Sequence, residues 1–253
     1  MTFINSMIIA FAMYSKIPMP RVDWNEKNMR YSMCFFPLIG VVEGACFAGL
    51  WYLLIQAGFG TGIIAAILTV LPLVVTGGIH MDGFLDTMDA LSSWQTMERR
   101  LEILKDSHTG AFAIITGTAY MILYYGGVTE LHSLRQCLLI AAGFVLSRAL
   151  SGMALVTMKG AKKDGLLYTF ASSAHKNIVR VCLGVYIVVA AAFLLYTGGM
   201  KAAWMVVIAF LVYIYYSRMS GNKFGGLTGD LAGWFLQICE LAILYTVVIV
   251  VRM

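Results

Sequence analysis

Charge is scarce in this sequence. Asp, Glu, Lys and Arg make up 12% of it, against about 25% in soluble domains. With 60% of residues hydrophobic, a water-soluble fold would expose a large apolar surface, because part of any globule faces water. An ordinary soluble domain is excluded, and the bilayer is the natural solvent. Proline is rare, at four residues. No low-complexity tract or shift in composition marks a second domain, so residues 1–253 read as a single membrane-embedded domain. The five cysteines (Cys34, Cys46, Cys137, Cys182 and Cys239) form no C-x-x-C pair and lie mostly in apolar runs. That argues against a disulfide framework and a zinc site and leaves them as small apolar filler. Residues 1–14 lack a basic start and a small-residue cleavage site, so they do not read as a signal peptide.

What the chain has is long apolar runs. A helix needs about 20 apolar residues to cross the hydrocarbon core. Seven runs qualify or nearly so: 34–57, 61–79, 111–128, 137–158, 178–198, 202–217 and 231–251. Backbone polar groups must be satisfied within lipid, so these runs predict helices. The expected fold is therefore an all-α integral membrane bundle of about seven to eight transmembrane helices, the eighth being the short stretch 2–14 if it spans. Pro72 is expected to kink its run. The connections 15–32, 80–110, 159–180 and 218–230 hold fourteen lysines and arginines, and the intervening connections and C-terminal tail hold three. Rich and poor connections alternate, and the positive-inside rule puts the four rich ones in the cytoplasm. The net charge of +5 thus reads as topology, with the lipid bilayer as partner and no nucleic acid.

The acidic residues gather on the same face. Asp82, Asp86 and Asp89 are spaced i, i+4, i+7, within about 60° on one side of a helix, and follow Gly77 and Gly78. Three carboxylates on one stripe repel each other unless a cation relieves them, and hard oxygen ligands favour Mg²⁺, which also binds phosphates. Asp106 and Asp230, at the same membrane surface, are expected to close this metal site. His80 points elsewhere on the helix and suits a phosphate contact, acid–base work or a plain interfacial position. In Lys105-Asp106-Ser107, Ser107 or Asp106 suits the cap of the span at Ala111, and a helix N-terminus beside Lys105 suits an anion. The residues 98–102 read as a surface helix. In Gly225-Gly226-Leu227-Thr228-Gly229-Asp230 the glycines permit close approach of a phosphate and Asp230 suits a cap. Glu43, Arg148 and Glu240 lie inside spans, each about 15 Å deep. Buried charges at one depth should pair, so Arg148 is expected to bond Glu43 or Glu240.

These constellations, in this order, resemble the cobalamin synthase family, the adenosylcobinamide-GDP ribazoletransferases. The family's T-G-G-x-H-x-D-G-x-x-D-T-x-D is complete from Thr76 to Asp89, and its G-G-x-T-G-D-x-x-G is complete from Gly225 to Gly233. Its K-D-S-R-x-G stands at Lys105 to Gly110 with His108 in place of Arg, and Gln237 stands where Glu is frequent. Phe36 to Gly40 and Ser147-Arg148 also match. The resemblance implies that α-ribazole or its 5′-phosphate reacts with adenosylcobinamide-GDP, releasing GMP and forming adenosylcobalamin or its 5′-phosphate, with Mg²⁺ as cofactor. It implies catalytic roles for Asp82, Asp86, Asp89, His80 and Lys105, the last balancing the leaving GMP, with Asp89 or Asp82 as base. Gly77, Gly78, Ser107, Gly225, Gly226, Thr228 and Gly229 would contact substrate. It leaves room for other cobalamin-assembly enzymes as partners and for an oligomer. Asp164 lies outside all three motifs and is expected to be dispensable.

Two other readings compete. A CDP-alcohol phosphotransferase also sets aspartates at a membrane face, but the D-G-x-x-A-R of that family is missing here. A transporter would use Glu43, Arg148 and Glu240 as a polar pathway, but no internal repeat supports it.

Overall fold

A computed structural model describes residues 2–106, 108–162 and 165–251. Among them are twelve α-helices: α1 (Thr2–Tyr14), α2 (Glu26–Met29), α3 (Ser32–Gln56), α4 (Thr61–Thr76), α5 (Ile79–Ser92), α6 (Met97–Ile103), α7 (Ala111–Thr129), α8 (Leu134–Thr157), α9 (Gly165–Ser173), α10 (Lys176–Gly198), α11 (Ala203–Phe224) and α12 (Gly229–Thr246). The described residues hold no β-strand beyond an isolated bridge between Gly160 and Leu227. Helices α3, α7, α8, α10, α11 and α12 are long and apolar enough to cross a membrane. The chain is thus a polytopic all-α membrane protein. The five cysteines are free.

The run 61–79 departs from a simple span. Helix α4 ends at Thr76, and the chain turns 96° into α5. Pro72 lies within a continuous α4, where its carbonyl accepts from Thr76 Oγ1 at 2.7 Å. The turn falls instead at Gly77 and Gly78, whose φ angles of 68° and 77° suit residues without a Cβ. Helix α5 thereby leaves the direction of the spans and lies across the end of the bundle. There it packs on the first turns of α12 and α7.

Helix α8 is the axis of the bundle. Of its apolar stretch 83% is buried, against 22% for α10 and α11, which present their remaining faces to lipid. Gly40 and Gly44 bring α3 against it. A Cβ on Gly40 would meet the Phe144 carbonyl oxygen at 2.5 Å, and one on Gly44 would meet the Ala141 Cβ at 2.6 Å. Small residues four apart let helix backbones close, which is how packing drives association where lipid removes the hydrophobic incentive.

That register sets Glu43 opposite Arg148. The Arg148 guanidinium donates through Nη2 to Glu43 and through Nη1 to Glu240 Oε1 at 2.8 Å. Nη1 also donates to the Phe144 carbonyl at 3.0 Å, and Ser147 Oγ donates to Glu240 Oε1 at 2.9 Å. Arg148 is 1% exposed and Glu43 fully buried. Arginine's planar fork serves two carboxylates at once. The sequence predicted one glutamate partner, and the structure supplies both, tying α3, α8 and α12 together inside the membrane.

Candidate active site

The polar end of the molecule is built where α5 crosses α12. A Cβ on Gly83 would lie 2.7 Å from the Asp230 Cα, and one on Gly233 would lie 2.7 Å from the His80 carbonyl oxygen. Two glycines from separate motifs therefore let two backbones touch, and the touch carries Asp82 and Asp86 to Asp230. The predicted acidic face exists, since residues 79–92 are helical. Burial pushes the Asp86 carboxyl up to about 6, and the charges of Asp82, Asp230 and Asp89 push the same way. These four acids feel one another.

Asp89 has a task of its own. Gly110 N–H donates to its Oδ2 at 2.8 Å and Ala113 N–H to its Oδ1 at 3.4 Å. It caps α7 from another helix, the position that Ser107 or Asp106 was expected to fill. A Cβ on Gly110 would overlap the Asp89 carboxylate, which gives this glycine its reason. Asp106 is bonded within its own loop. Its Oδ1 accepts from the His108 backbone N–H at 3.0 Å and meets the His108 Nδ1 at 2.7 Å. These bonds hold its carboxyl below the usual range, and its side chain is 54% exposed. Helix α12 is capped by Thr228, whose Oγ1 accepts from Leu231 N–H at 3.2 Å, so Asp230 is not needed as the cap and lies in the first turn. Ser107 and Asp164 lie outside the described residues.

A cavity of about 410 Å³ opens beside the cluster. Of the expected residues it is lined by His80, Asp82, Lys105, Thr228, Gly229 and Asp230. Lys162, Tyr14, Phe36, Tyr168 and Phe170 also line it, and of these only Phe36 lay in a matched motif. Lys162 Nζ donates to the Leu101 carbonyl at 3.3 Å, anchoring the loop before α9 to α6. The surface helix read at 98–102 is α6, capped by Thr96. Gly77 and Gly78 border a separate open groove that includes Asp82, and the Lys16 side chain lies over Gly77. Gly226 is closely packed, since a Cβ there would meet the Lys159 carbonyl oxygen at 2.6 Å. Leu227 N–H donates to that same oxygen at 2.9 Å. Gly225 ends α11 and faces the Met97 sulfur.

His80 is 5% exposed. Its ring stacks near Tyr14 at 6.1 Å and stands edge-on to Phe36 at 6.0 Å. Burial pulls its imidazole well below the usual range, with the Arg148 charge adding to this. It is a neutral histidine on the cavity wall, and its Nε2 has no hydrogen-bond partner.

The acids offer only oxygen donors. Among the described residues no three acidic, histidine or cysteine side chains converge closely enough to grip one ion directly. Such a set fits a hard cation that keeps part of its water shell. Asp82, Asp86 and Asp230 are the members not spent on helix capping.

The sequence profile of cobalamin-5-phosphate synthase matches residues 6–248. An adenosylcobinamide-GDP ribazoletransferase of Lachnoclostridium phytofermentans is 49% identical over 95% of this chain and 92% of its own. Proteins of the same name from Treponema denticola and Clostridium perfringens are 34% and 28% identical, each over 94% of this chain and 95% of their own. No solved structure matches. With the profile matched along nearly its whole length, the chain belongs to the cobalamin-5-phosphate synthase family.

Proposed function

We propose that the chain is an adenosylcobinamide-GDP ribazoletransferase, joining adenosylcobinamide-GDP to α-ribazole or its 5′-phosphate and releasing GMP. The observation that carries this reading is the cavity lining, which holds Asp82 and Asp230 together with Lys105 and Lys162. The reaction moves a phosphoryl group from an anhydride to an alcohol, so positioning and charge neutralisation are the main demands. A ribose hydroxyl oxygen forms the new bond to phosphorus as the anhydride P–O bond breaks, and its proton passes to a carboxylate. Asp82 suits that base better than Asp89, whose two oxygens are engaged at α7. Lys105 and Lys162 balance charge on the departing GMP. Asp82, Asp86 and Asp230 would hold Mg²⁺, which when bound supplies neutralising charge between the carboxylates and the pyrophosphate.

The polar residues that a transporter would need as a pathway are joined in ion pairs. We place the acidic face in the cytoplasm and the protein in the plasma membrane, on the lysine and arginine bias. Labelling of a cysteine introduced at 165 tests this, and ready labelling from outside intact cells would reverse it. The activity is tested by incubating purified protein with both substrates and Mg²⁺. Formation of adenosylcobalamin or its 5′-phosphate, with GMP, is expected from the wild type and not from Asp82→Asn. A wild type that makes neither product would end the reading.

A further inference from the structure

We propose that the enclosed cavity is the subsite for the incoming nucleoside, its benzimidazole base lying on the apolar floor against His80 and its ribose at the charged mouth. This rests on the reading of the chain as a ribazoletransferase and assigns one of its two substrates to a place.

Size is the first ground. Small-molecule pockets run from about 300 to 1,000 Å³, and this one, at about 410 Å³, admits a nucleoside but not a corrin macrocycle with its side chains. The corrinoid substrate must therefore keep its bulk outside.

Polarity gives the second. The lining side chains Met33, Phe36, Leu155, Phe170 and Leu236 are buried, while Asp82 and Lys105 are exposed. The cavity thus runs from a charged mouth to an apolar floor. Tyr14 joins the aromatic part, 4.5 Å from Phe36 and 5.9 Å from Phe170 between ring centroids. A flat base inserted here would find ring faces and edges on several sides.

The third ground is the scarcity of polar atoms. Among the described lining residues the buried polar side chains are His80, Ser151 and Thr228, and Thr228 already caps α12. The Nε2 of His80 is buried behind the wall and presents almost no surface to a ligand. A dimethylbenzimidazole nucleoside has a single free ring nitrogen, an acceptor, and otherwise only carbon on its base, so it leaves little unpaired here. Guanine brings a carbonyl, an amino group and a ring N–H, most of which would be stranded on this floor. Lys105 and Lys162 at the mouth suit the 5′-phosphate of the phosphorylated nucleoside.

The test uses full-length protein in nanodiscs, with α-ribazole and adenosylcobinamide-GDP as substrates. Phe170→Ala should raise the KM for α-ribazole by about tenfold, the scale of a ring contact, with the KM for adenosylcobinamide-GDP within about twofold of wild type. If Phe170→Ala does not fold, Tyr168→Ala, at an exposed residue of the same lining, decides by the same measurement. A rise confined to the KM for adenosylcobinamide-GDP, equal rises in both, or no rise in either would overturn the assignment. Those outcomes require turnover by the wild type, so they are separate from failure of the transferase reading itself.

Discussion

Two groups of charges stand in contrast in this protein. Glu43, Arg148 and Glu240 lie inside the membrane, and the two carboxylates share one guanidinium. Asp82, Asp86 and Asp230 lie at its face with no cationic side chain bonded to them among the described residues. The first group has paired its charges and holds three helices. The second is held together by a backbone crossing at Gly83 and Gly233, so the acids stay close although they repel. Acids forced together by packing, rather than drawn together by a partner, remain open to an external cation. Where the charge is neutralised internally it serves the fold, and where it is not it is left available to a ligand.

Substitutions should separate the two groups. Arg148→Leu strands two buried glutamates. It is expected to cost roughly 3–5 kcal/mol, read as loss of folded protein after detergent extraction. Asp86→Asn should do the opposite. Turnover should fall by about 100-fold or more, since a bound cation contributes several kcal/mol of charge stabilisation, while thermal stability without Mg²⁺ holds or rises. Added Mg²⁺ should raise the melting temperature of the wild type more than that of Asp86→Asn. Equal shifts, with activity retained, would reduce the cluster to a solvated face. Gly110→Ala displaces the Asp89 carboxylate and should cost about 1 kcal/mol, the usual worth of a cap, with a partial loss of activity as α5 loses its tether. Arg99→Ala, breaking an exposed pair with Glu102, should change stability by at most about 0.5 kcal/mol.

Much of this was legible in the sequence, for physical reasons that also mark the limit. Arg148 declared itself because a charge in an apolar run has few affordable states, and pairing is one of them. The acids of α5 declared themselves through helical periodicity, which is a local property. The cap on α7 did not. Asp89 and Gly110 are far apart along the chain, and the nearby Asp106 and Ser107 looked like the natural donors. The 96° turn hid for a similar reason, because Pro72 was the conspicuous residue and Gly77-Gly78 the effective one. The cavity floor was invisible, since Tyr14, Phe36 and Phe170 come from α1, α3 and α9 and only packing brings them together.

Both groups of charges also depend on α12, which follows every other element that meets there. Arg148 awaits Glu240, and α5 awaits Gly233 before it has a surface to lie across. During synthesis the ribosome delivers α12 after α3, α5 and α8, so a growing chain carries Arg148 with only one of its two glutamates, Glu43, and a loosely held α5 until that helix arrives. Assembly of the acidic face is therefore a late event in biogenesis. Nascent chains stalled before α12 should be the form most exposed to membrane quality control.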